Sequence, residues 1–183
     1  MPLILRNRNR SQRAQLPPQA IFVPNSAQDI AKSIKIINFF SVPFAVRSGG
    51  HTPFPGSAST SNGILISPQN LTTLALSESK DLVSVGPGNR SIKVYEFLEP
   101  HNLTVVGGRV PSVSVGGLTT GSGNSYFSAG HGMACDNVAS FEVVTANESI
   151  ATASATENKD LFWGPRAEAI TLGLSLGSTC LPS

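Results

Sequence analysis

The residues best suited to chemistry in this chain stand in the stretch FAVRSGGH, which runs from Phe44 to His51. An apolar run of strand character ends at Arg47, and a Ser-Gly-Gly run separates that arginine from a histidine. Paired glycines let main-chain N–H groups approach an anionic ligand closely, although an ordinary turn is their commoner use. The imidazole of His51 can act as a nucleophile near neutral pH, although a structural histidine is again the commoner alternative.

Four further glycine-rich loops follow later in the chain. They are VGPG at 85–88, VGGR at 106–109, VSVGGLTTGSG at 113–123 and SAGHGMACDNV at 128–138. Tight glycine loops at strand ends can together present many main-chain donors to one large anion. Taken singly, each loop is also explained by the steric needs of turns, so the indication of an anion site rests on their acting together.

Several common catalytic signatures are missing from the sequence or fail in their context. No phosphate loop ending in Gly-Lys-Ser/Thr and no His-Glu-x-x-His zinc motif occurs. GPGNRS at 86–91 lacks the third glycine of a dinucleotide fingerprint. GLSLG at 173–177 matches Gly-x-Ser-x-Gly, but no acid or histidine follows it, so we interpret it as a chance match.

The elements that must position these loops begin with a helix. SAQD at 26–29 has the pattern of a capping box and precedes Ile30, Ile34 and Ile37 at helical spacing. We expect this helix to end before Pro43, because proline cannot continue it.

Short strands and one more helix account for the rest of the pattern. Apolar runs bounded by Gly, Pro, Ser or Asn predict strands in PFAVR, GILIS, LTTLALS, DLVSVGPG and LTVVGG. SIKVYEFLEP lies between the last two and predicts a helix with Ile92, Tyr95 and Leu98 on one side. SFEVVTANESIATASA predicts two strands joined by a turn at Asn147. This order favours an α+β domain over a regular doubly wound one.

Composition limits the classes of partner. The 183 residues suit one domain or a piece of a larger protein, and 13 Lys+Arg against 11 Asp+Glu give a formal charge of +2. That balance indicates no nucleic-acid partner, and the basic cluster at 6–13 is interpreted as a solvated leading segment rather than a nucleic-acid arm. No apolar run is long enough to span a membrane, and MPLIL at 1–5 is too short for a signal peptide.

Five segments in order resemble a known family. FAVRSGGH, VSVGPGNR, VVGGRVPSVSVGGL, GHGMACDNV and the later FEVVTA with NKDLFW are similar to the berberine-bridge-enzyme-like flavoprotein oxidases. These belong to the larger group of vanillyl-alcohol oxidase and p-cresol methylhydroxylase (PCMH). The resemblance implies a leading segment at 1–16 and an incomplete PCMH-type FAD-binding domain of two α+β subdomains over 17–163. The family's separate substrate domain is expected to be missing.

The resemblance also implies which residues bind FAD. In the family, the Arg-Ser-Gly-Gly loop wraps the FAD diphosphate through main-chain N–H groups, and its histidine is bonded to the flavin 8α-methyl. The corresponding residues here are Arg47, Ser48, Gly49, Gly50 and His51. A second ligand-facing loop would contain Gly116, Gly117, Gly121 and Gly123. A segment that closes on the cofactor would contain Asp136, Asn137 and Val138, and the backbone near Ile150 would lie by the adenine.

The attachment is chemically reasonable, and two departures from the family bear on it. A flavin 8-methyl that has lost a proton is electrophilic and neutral imidazole is a good nucleophile, so attachment needs proximity rather than another enzyme. Members with a second, cysteinyl flavin link carry Cys where this chain has Val110, so we expect at most one link. TTGSGNS at 119–125 replaces a more usual run of three glycines, so Ser122 and Asn124 add Cβ atoms that would weaken the site.

The tail at 164–183 departs most from the family. After DLFW the family continues with Ala-Leu-Arg/Lys, a glycine-rich run and Asn-Phe-Gly-Ile-Val-Thr, whereas this chain has GPRAEAITLGLSLGSTCLPS. The codons GGC GGA GGC AAT AAC TTT GGG encode Gly-Gly-Gly-Asn-Asn-Phe-Gly. Read one base later they encode Ala-Glu-Ala-Ile-Thr-Leu-Gly, which is the sequence of 167–173. We therefore expect a slip of reading frame near Gly164 and an aberrant tail after it.

The resemblance implies an FAD-dependent oxidase. It would act as a monomer, take hydride from a carbinol or C–H carbon of a small molecule, and pass the electrons to oxygen. Sequons at Asn70, Asn89, Asn102 and Asn147 favour a secreted protein, whose leader would lie outside this sequence. Two alternatives stay open. The chain could be an inactive FAD-binding fragment, because the substrate domain supplies the family's catalytic base, or a cofactor-free extracellular binding protein.

Overall fold

The computed structural model describes residues 10–163 and 169–180, and in the second range only the backbone. The strands are β1 (Ala20–Phe22), β2 (Phe44–Val46), β3 (Ile64–Ile66), β4 (Leu74–Leu76), β5 (Leu82–Val85), β6 (Leu103–Val105), β7 (Val138–Thr145), β8 (Ile150–Ser154) and β9 (Ala169–Cys180). The α-helices are α1 (Ala27–Phe40), α2 (Ser91–Leu98), α3 (Val115–Thr120), α4 (Ser128–His131) and α5 (Lys159–Trp163). Short 3-10 helices span Gln12–Ala14, Glu99–His101 and Ala134–Asn137.

The smaller of two sheets holds three parallel strands in the order β1-β3-β2. The loop that follows β2 is the FAVRSGGH loop, so this sheet fixes where that loop begins. Helix α1 packs against the sheet through three isoleucines that are at most 4% exposed: Ile30, Ile34 and Ile37. Burying side chains of this kind stabilises a fold by roughly 1.5–3 kcal/mol each.

The predicted boundaries of α1 are confirmed. Ser26 is the N-cap, and its Oγ accepts the Asp29 N–H at 3.1 Å. The Asp29 carboxylate accepts the N–H of Asn25 at 3.0 Å, one residue before the position that a capping box predicts. Ser41 ends the helix in the left-handed region, φ 50°, two residues before Pro43.

The larger sheet is antiparallel, with the order β4-β5-β9-β7-β8, and β6 also pairs with β9. Its core includes Val83, Phe141 and Val143 and packs against α2. The next residue along β7, Val144, belongs instead to the core around α1, because successive side chains of a strand point to opposite faces. The expected α+β fold with two sheet-and-helix units is therefore confirmed, and β7 joins the two units.

Two sequence-based expectations need correction. The buried face of α2 is Ser91, Val94 and Leu98, whereas Ile92 is 36% exposed, so the predicted face was wrong for that residue. The stretch 115–120, interpreted as part of a loop, is α3. Its helical turns form despite two glycines, because Thr119 Oγ1 donates to Val115 O at 2.9 Å and the first turn is held by its neighbours.

The ends of the chain are described only in part. Residues 1–9 of the leading segment, and 164–168 and 181–183 of the tail, lie outside the described residues. Ala14 is fully buried and the Arg10 N–H donates to Gly50 O at 2.9 Å, so 10–16 pack on the domain. Residues 169–180 form β9; their origin in a slipped reading frame stays a prediction. Within the described ranges, no helix combines the length and apolarity that crossing a bilayer requires.

Candidate functional site

A cleft of about 1120 Å³ is lined by α1, β2, the loops at 48–58 and 113–124, and the end of β7. Eight of the predicted cofactor residues line it: Ser48, Gly49, Gly50, His51, Gly116, Gly117, Gly121 and Gly123. Small-molecule sites usually have about 300–1000 Å³, so this volume suits a large ligand. The structure therefore brings together two loops that lie more than sixty residues apart in the sequence.

The two loops touch each other directly. A Cβ added to Gly116 would lie 3.2 Å from Ser48 Oγ and 3.0 Å from Pro87 Cβ. Ser48 Oγ itself donates to Pro87 O at 2.5 Å. Because glycine at 116 leaves no side chain between them, three chain segments pack together with main chain next to the cleft.

Both loops have main-chain donors without a partner. In the described part of the chain, no hydrogen bond is donated by the N–H groups of Ser48, Gly49, Gly50, His51, Gly116 and Gly117. The residue before each run is paired, since the Arg47 N–H donates to Ile66 O at 2.9 Å and the Val115 N–H to Asn89 O at 3.0 Å. Unpaired N–H groups that converge on one concave surface form an anion-binding arrangement.

Charged side chains contribute little to this surface. Among the described residues that line the cleft there is no Asp, Glu, Lys or Arg, and His51 is the titratable residue of the lining. Attraction for an anion must therefore come from the oriented main-chain dipoles. Two cations, Arg10 and Arg90, act on His51 from outside the lining.

His51 is held at the edge of the cleft through one ring nitrogen. Its Nε2 lies 3.2 Å from Ser112 Oγ and 3.5 Å from Arg10 Nη1. Burial lowers the pKa of His51, and the positive charges of Arg10 and Arg90 lower it further. The ring is therefore neutral at neutral pH, which is the nucleophilic form.

Five predicted residues lie outside the lining: Arg47, Asp136, Asn137, Val138 and Ile150. Asp136 and Asn137 hold their own loop. The Asp136 carboxylate accepts the Met133 N–H at 2.8 Å, and Asn137 Nδ2 donates to His131 O and Met133 O, both at 2.8 Å. A cofactor role for these five residues stays a prediction.

Arg47, Val138 and Ile150 are placed by the sheets. Arg47 is 7% exposed at the end of β2, and Val138 is 6% exposed at the start of β7. Ile150 is 40% exposed and pairs with Val144, a residue of the lining. The prediction for Ile150 concerned its backbone, and the structure puts that backbone one strand away from the cleft.

The segment 121–124 contains a backbone conformation that its sequence does not suit. Gly123 has φ +76°, and a Cβ there would lie 2.6 Å from Ala134 Cβ. Ser122 has φ 75°, a region that non-glycine residues occupy at a cost. This positive φ is a separate finding from the expected crowding by the Cβ atoms of Ser122 and Asn124, which stays a prediction; Asn124 has no positive φ.

Sequence reasoning missed several residues of the lining. Ser114 lies between Gly49 and the start of α3, and the carbonyl oxygen of Pro87 accepts a hydrogen bond from the Ser48 hydroxyl. Asn38, Thr145 and Ala146 also line the cleft, and Asn38 Nδ2 donates to Ala146 O at 3.0 Å. The one signal in the sequence is that successive side chains of β7 point to opposite faces of the sheet, which places some of them on the side of α1.

Known proteins resemble this chain in sequence and in fold. A family model described as an FAD binding domain matches residues 18–154. The FAD-dependent monooxygenase prx3 of Penicillium roqueforti is 40% identical over 165 residues, which cover 90% of this chain and 32% of that protein. The chain thus spans about a third of the length of the curated relatives that it matches.

Two solved structures are similar over almost the whole chain. The 6-hydroxy-D-nicotine oxidase of Arthrobacter nicotinovorans has a TM-score of 0.86 at 25% identity, covering 92% of this chain and 38% of that one. The glucooligosaccharide oxidase of Acremonium strictum, whose FAD is described as cysteinyl and histidyl, has a TM-score of 0.85 at 26% identity, covering 94% and 37%. The chain therefore belongs to the FAD-binding domain family, and its structural neighbours include vanillyl-alcohol-oxidase-type and berberine-bridge-enzyme-like flavoproteins.

Proposed function

We propose that this chain binds FAD in the cleft and is the cofactor-binding part of an FAD-dependent oxidoreductase of small molecules. One observation carries the proposal: two runs of residues whose main-chain N–H groups are unpaired, at 48–51 and 116–117, line one cleft. A diphosphate there would accept these hydrogen bonds without any charged side chain. The family match supplies FAD as the diphosphate ligand.

The residues of the cleft fit FAD along its length. The volume of about 1120 Å³ accommodates a dinucleotide-sized ligand. Phe44, Val46 and Leu118 offer apolar surface for flat rings, and Asn38 and Thr145 add polar atoms to the lining. When bound, the cofactor supplies the redox chemistry, accepting hydride from a carbinol or C–H carbon and passing electrons to dioxygen. The chain's own residues bind and orient it.

We also propose a single covalent link between His51 and the flavin 8α-methyl. Support comes from the position of the ring in the lining and from its lowered pKa, which keeps the imidazole neutral. A structural neighbour carries a histidyl FAD. Val110 stands where doubly linked members of the family have cysteine, so a second link is not expected.

Acid precipitation after incubation with FAD tests binding and attachment together. We expect the pellet of the 183-residue chain to stay yellow, and the pellet of His51→Ala to be colourless. His131→Ala is the matched control, because His131 is exposed and lies outside the lining. Colour that washes out would contradict the covalent link and keep FAD binding.

Two further outcomes distinguish the remaining alternatives. A folded chain that never takes up flavin would contradict the proposal and favour a cofactor-free extracellular binding protein. A flavin-loaded chain without oxygen-dependent turnover would be an inactive FAD-binding fragment, the second candidate. Turnover would refute that candidate.

We further propose that the protein is secreted, glycosylated and monomeric. The four sequons support a secretory route, and Asn102 and Asn147 are exposed in the structure. Size-exclusion chromatography and recovery of the protein from the culture medium of its host test these statements.

A further inference from the structure

We infer that Ser112 is a positioning residue, which accepts the Nε2–H of His51 and so leaves Nδ1 as the nucleophilic nitrogen. The inference rests on the proposed function, since it explains how this chain prepares its own histidine for attachment to FAD. It concerns a residue outside the cleft lining and outside the family-derived set of cofactor residues.

The geometry places the Ser112 hydroxyl on one nitrogen of the ring. Ser112 Oγ lies 3.2 Å from His51 Nε2, within hydrogen-bond distance. In the described part of the chain, Nδ1 has no hydrogen-bond partner. A neutral imidazole carries one proton, so a proton kept at Nε2 leaves a free lone pair at Nδ1.

Ser112 is held firmly enough to orient a ring. Arg90 Nη1 donates to Ser112 O. The residues on either side are bound to the start of α2, since the Ile92 N–H donates to Pro111 O at 3.2 Å and the Ser91 N–H to Val113 O at 2.9 Å. A hydroxyl fixed by its own backbone can select one orientation of its partner, as groups that orient metal-binding histidines do.

Arg10 competes with Ser112 for a hydrogen bond to Nε2 of His51. A guanidinium only donates, so a hydrogen bond from Arg10 would require an unprotonated Nε2 and would place the proton on Nδ1. Its Nη1 lies 3.5 Å away, at the outer limit of a hydrogen bond, whereas Ser112 Oγ lies 3.2 Å away. The shorter contact favours Ser112, and Arg10 acts on His51 mainly through its charge.

Attachment of His51 to the flavin is a two-electron oxidation, and dioxygen is the final oxidant. One C–H bond of the flavin 8α-methyl and the N–H bond of His51 are replaced by one C–N bond to Nδ1. The two hydrogens, as two protons and two electrons, reduce the flavin, and dioxygen then takes them to give hydrogen peroxide. The proton that leaves His51 is the one on Nε2, and Ser112 provides its first acceptor.

The test compares Ser112→Ala with Ser112→Thr, which keeps the hydroxyl. Because Ser112 is exposed, neither change should prevent folding. The tautomer of His51 is read by NMR on the flavin-free chain with isotope-labelled histidine, assigned by His51→Ala. We expect Nε2–H in the wild type and Ser112→Thr, and a mixture or Nδ1–H in Ser112→Ala. Covalent flavin incorporation should slow about tenfold in Ser112→Ala and recover in Ser112→Thr.

Two results would overturn the inference. One is an Nδ1–H tautomer in the wild type, in which Nε2 would accept a hydrogen bond from Ser112 or Arg10 instead, and Arg10→Ala would show which of the two donates. The other is an unchanged tautomer and an unchanged incorporation rate in Ser112→Ala. The tautomer is measured without flavin, so absence of a covalent link in the wild type would contradict the proposed attachment and leave the Ser112 result independently readable.

Discussion

Gly49 lies so close to Ser114 that a Cβ at position 49 would stand 2.6 Å from the serine Oγ. Ser114 is 4% exposed, and its carbonyl accepts the Leu118 N–H at 3.3 Å at the start of α3. The FAVRSGGH loop and the start of α3 can therefore pack this closely only because position 49 has no side chain. Anything that pushes them apart would separate the two runs of unpaired N–H groups.

Gly49→Ala should accordingly destabilise the protein and weaken FAD binding. The added methyl overlaps a buried serine, and overpacking of this kind costs about 1–3 kcal/mol. Urea unfolding measures the stability, and quenching of flavin fluorescence measures the affinity. Gly130→Ala is the matched control, because a Cβ there meets nothing within 4 Å, Gly130 lies outside the lining, and alanine suits a helix better by about 0.5–1 kcal/mol. Equal stability of Gly49→Ala and wild type would contradict the prediction.

Ser122→Gly should stabilise the protein by about 1 kcal/mol. The φ of Ser122 is 75°, which glycine adopts freely and serine does not. Thermal unfolding followed by circular dichroism measures the change. Asn124→Gly supplies the comparison, since Asn124 has no positive φ and should gain nothing. If both changes destabilise the chain equally, backbone strain at 122 is not the cause.

The NMR titration of His51 should have its midpoint below the ordinary value of 6.5. Arg10→Ala should raise the midpoint, because a nearby positive charge is removed, whereas Arg13→Ala should leave it unchanged. A folded-state pKa below the unfolded one means that the unfolded chain takes up the proton first. Protonation of His51 therefore lowers the free energy of unfolding as the pH falls below about 6.5. Above that pH His51 has no such effect. A midpoint above 6.5 would contradict this assignment.

Glycan occupancy should differ between sequons when the chain is passed through a eukaryotic secretory pathway. Asn102 is exposed and should carry a glycan. Asn89 is 5% exposed, and its Nδ2 donates to Thr73 O at 3.0 Å and Gly86 O at 3.1 Å, so folded protein should lack a glycan there. Mass spectrometry of deglycosylated peptides reads both sites. Folded protein modified at Asn89 would show that this pair of hydrogen bonds is dispensable.

Genomic DNA should show a second reading frame that continues the family sequence from near Gly164. The shifted codons for 167–173 would read Gly-Gly-Gly-Asn-Asn-Phe-Gly, followed by further family sequence. Sequencing of the gene and of its transcript decides between a mutation, a misplaced splice site and a sequencing error. An open frame without any family sequence downstream would end this hypothesis.

Much of the fold was predictable because local signals agree with the final packing. The cap at Ser26, the buried Ile30 and Ile34, and the β7–β8 turn at Asn147 all follow from residue type and spacing. Helix α3 was missed, since two glycines argue against a helix and only tertiary contacts overrule them. The face of α2 was mistaken because Ser91 is buried by hydrogen bonds to Val113 O, which no hydropathy pattern reports.

Some residues of the candidate site were also predictable from local sequence, whereas others were not. The loop at 48–51 was recognisable from its glycines, because close approach of backbone requires them. Ser112 and Ser114 were not, since an isolated serine carries no signal until folding brings it against His51 or Gly49. The resemblance assigns Asp136 and Asn137 to the cofactor, which stays a prediction; what the sequence did not indicate is that their side chains hold the turn that contains Gly132.

Strand β9 lies between β5 and β7, yet it is the last of the three to be synthesised. During translation, β5 and β7 therefore leave the ribosome before β9, the strand that pairs with the free edge of each, has been made. Such edges recruit chaperones or pair with other polypeptides. The yield of native protein should thus depend on how quickly 169–180 emerges, a timing constraint that strand order alone imposes.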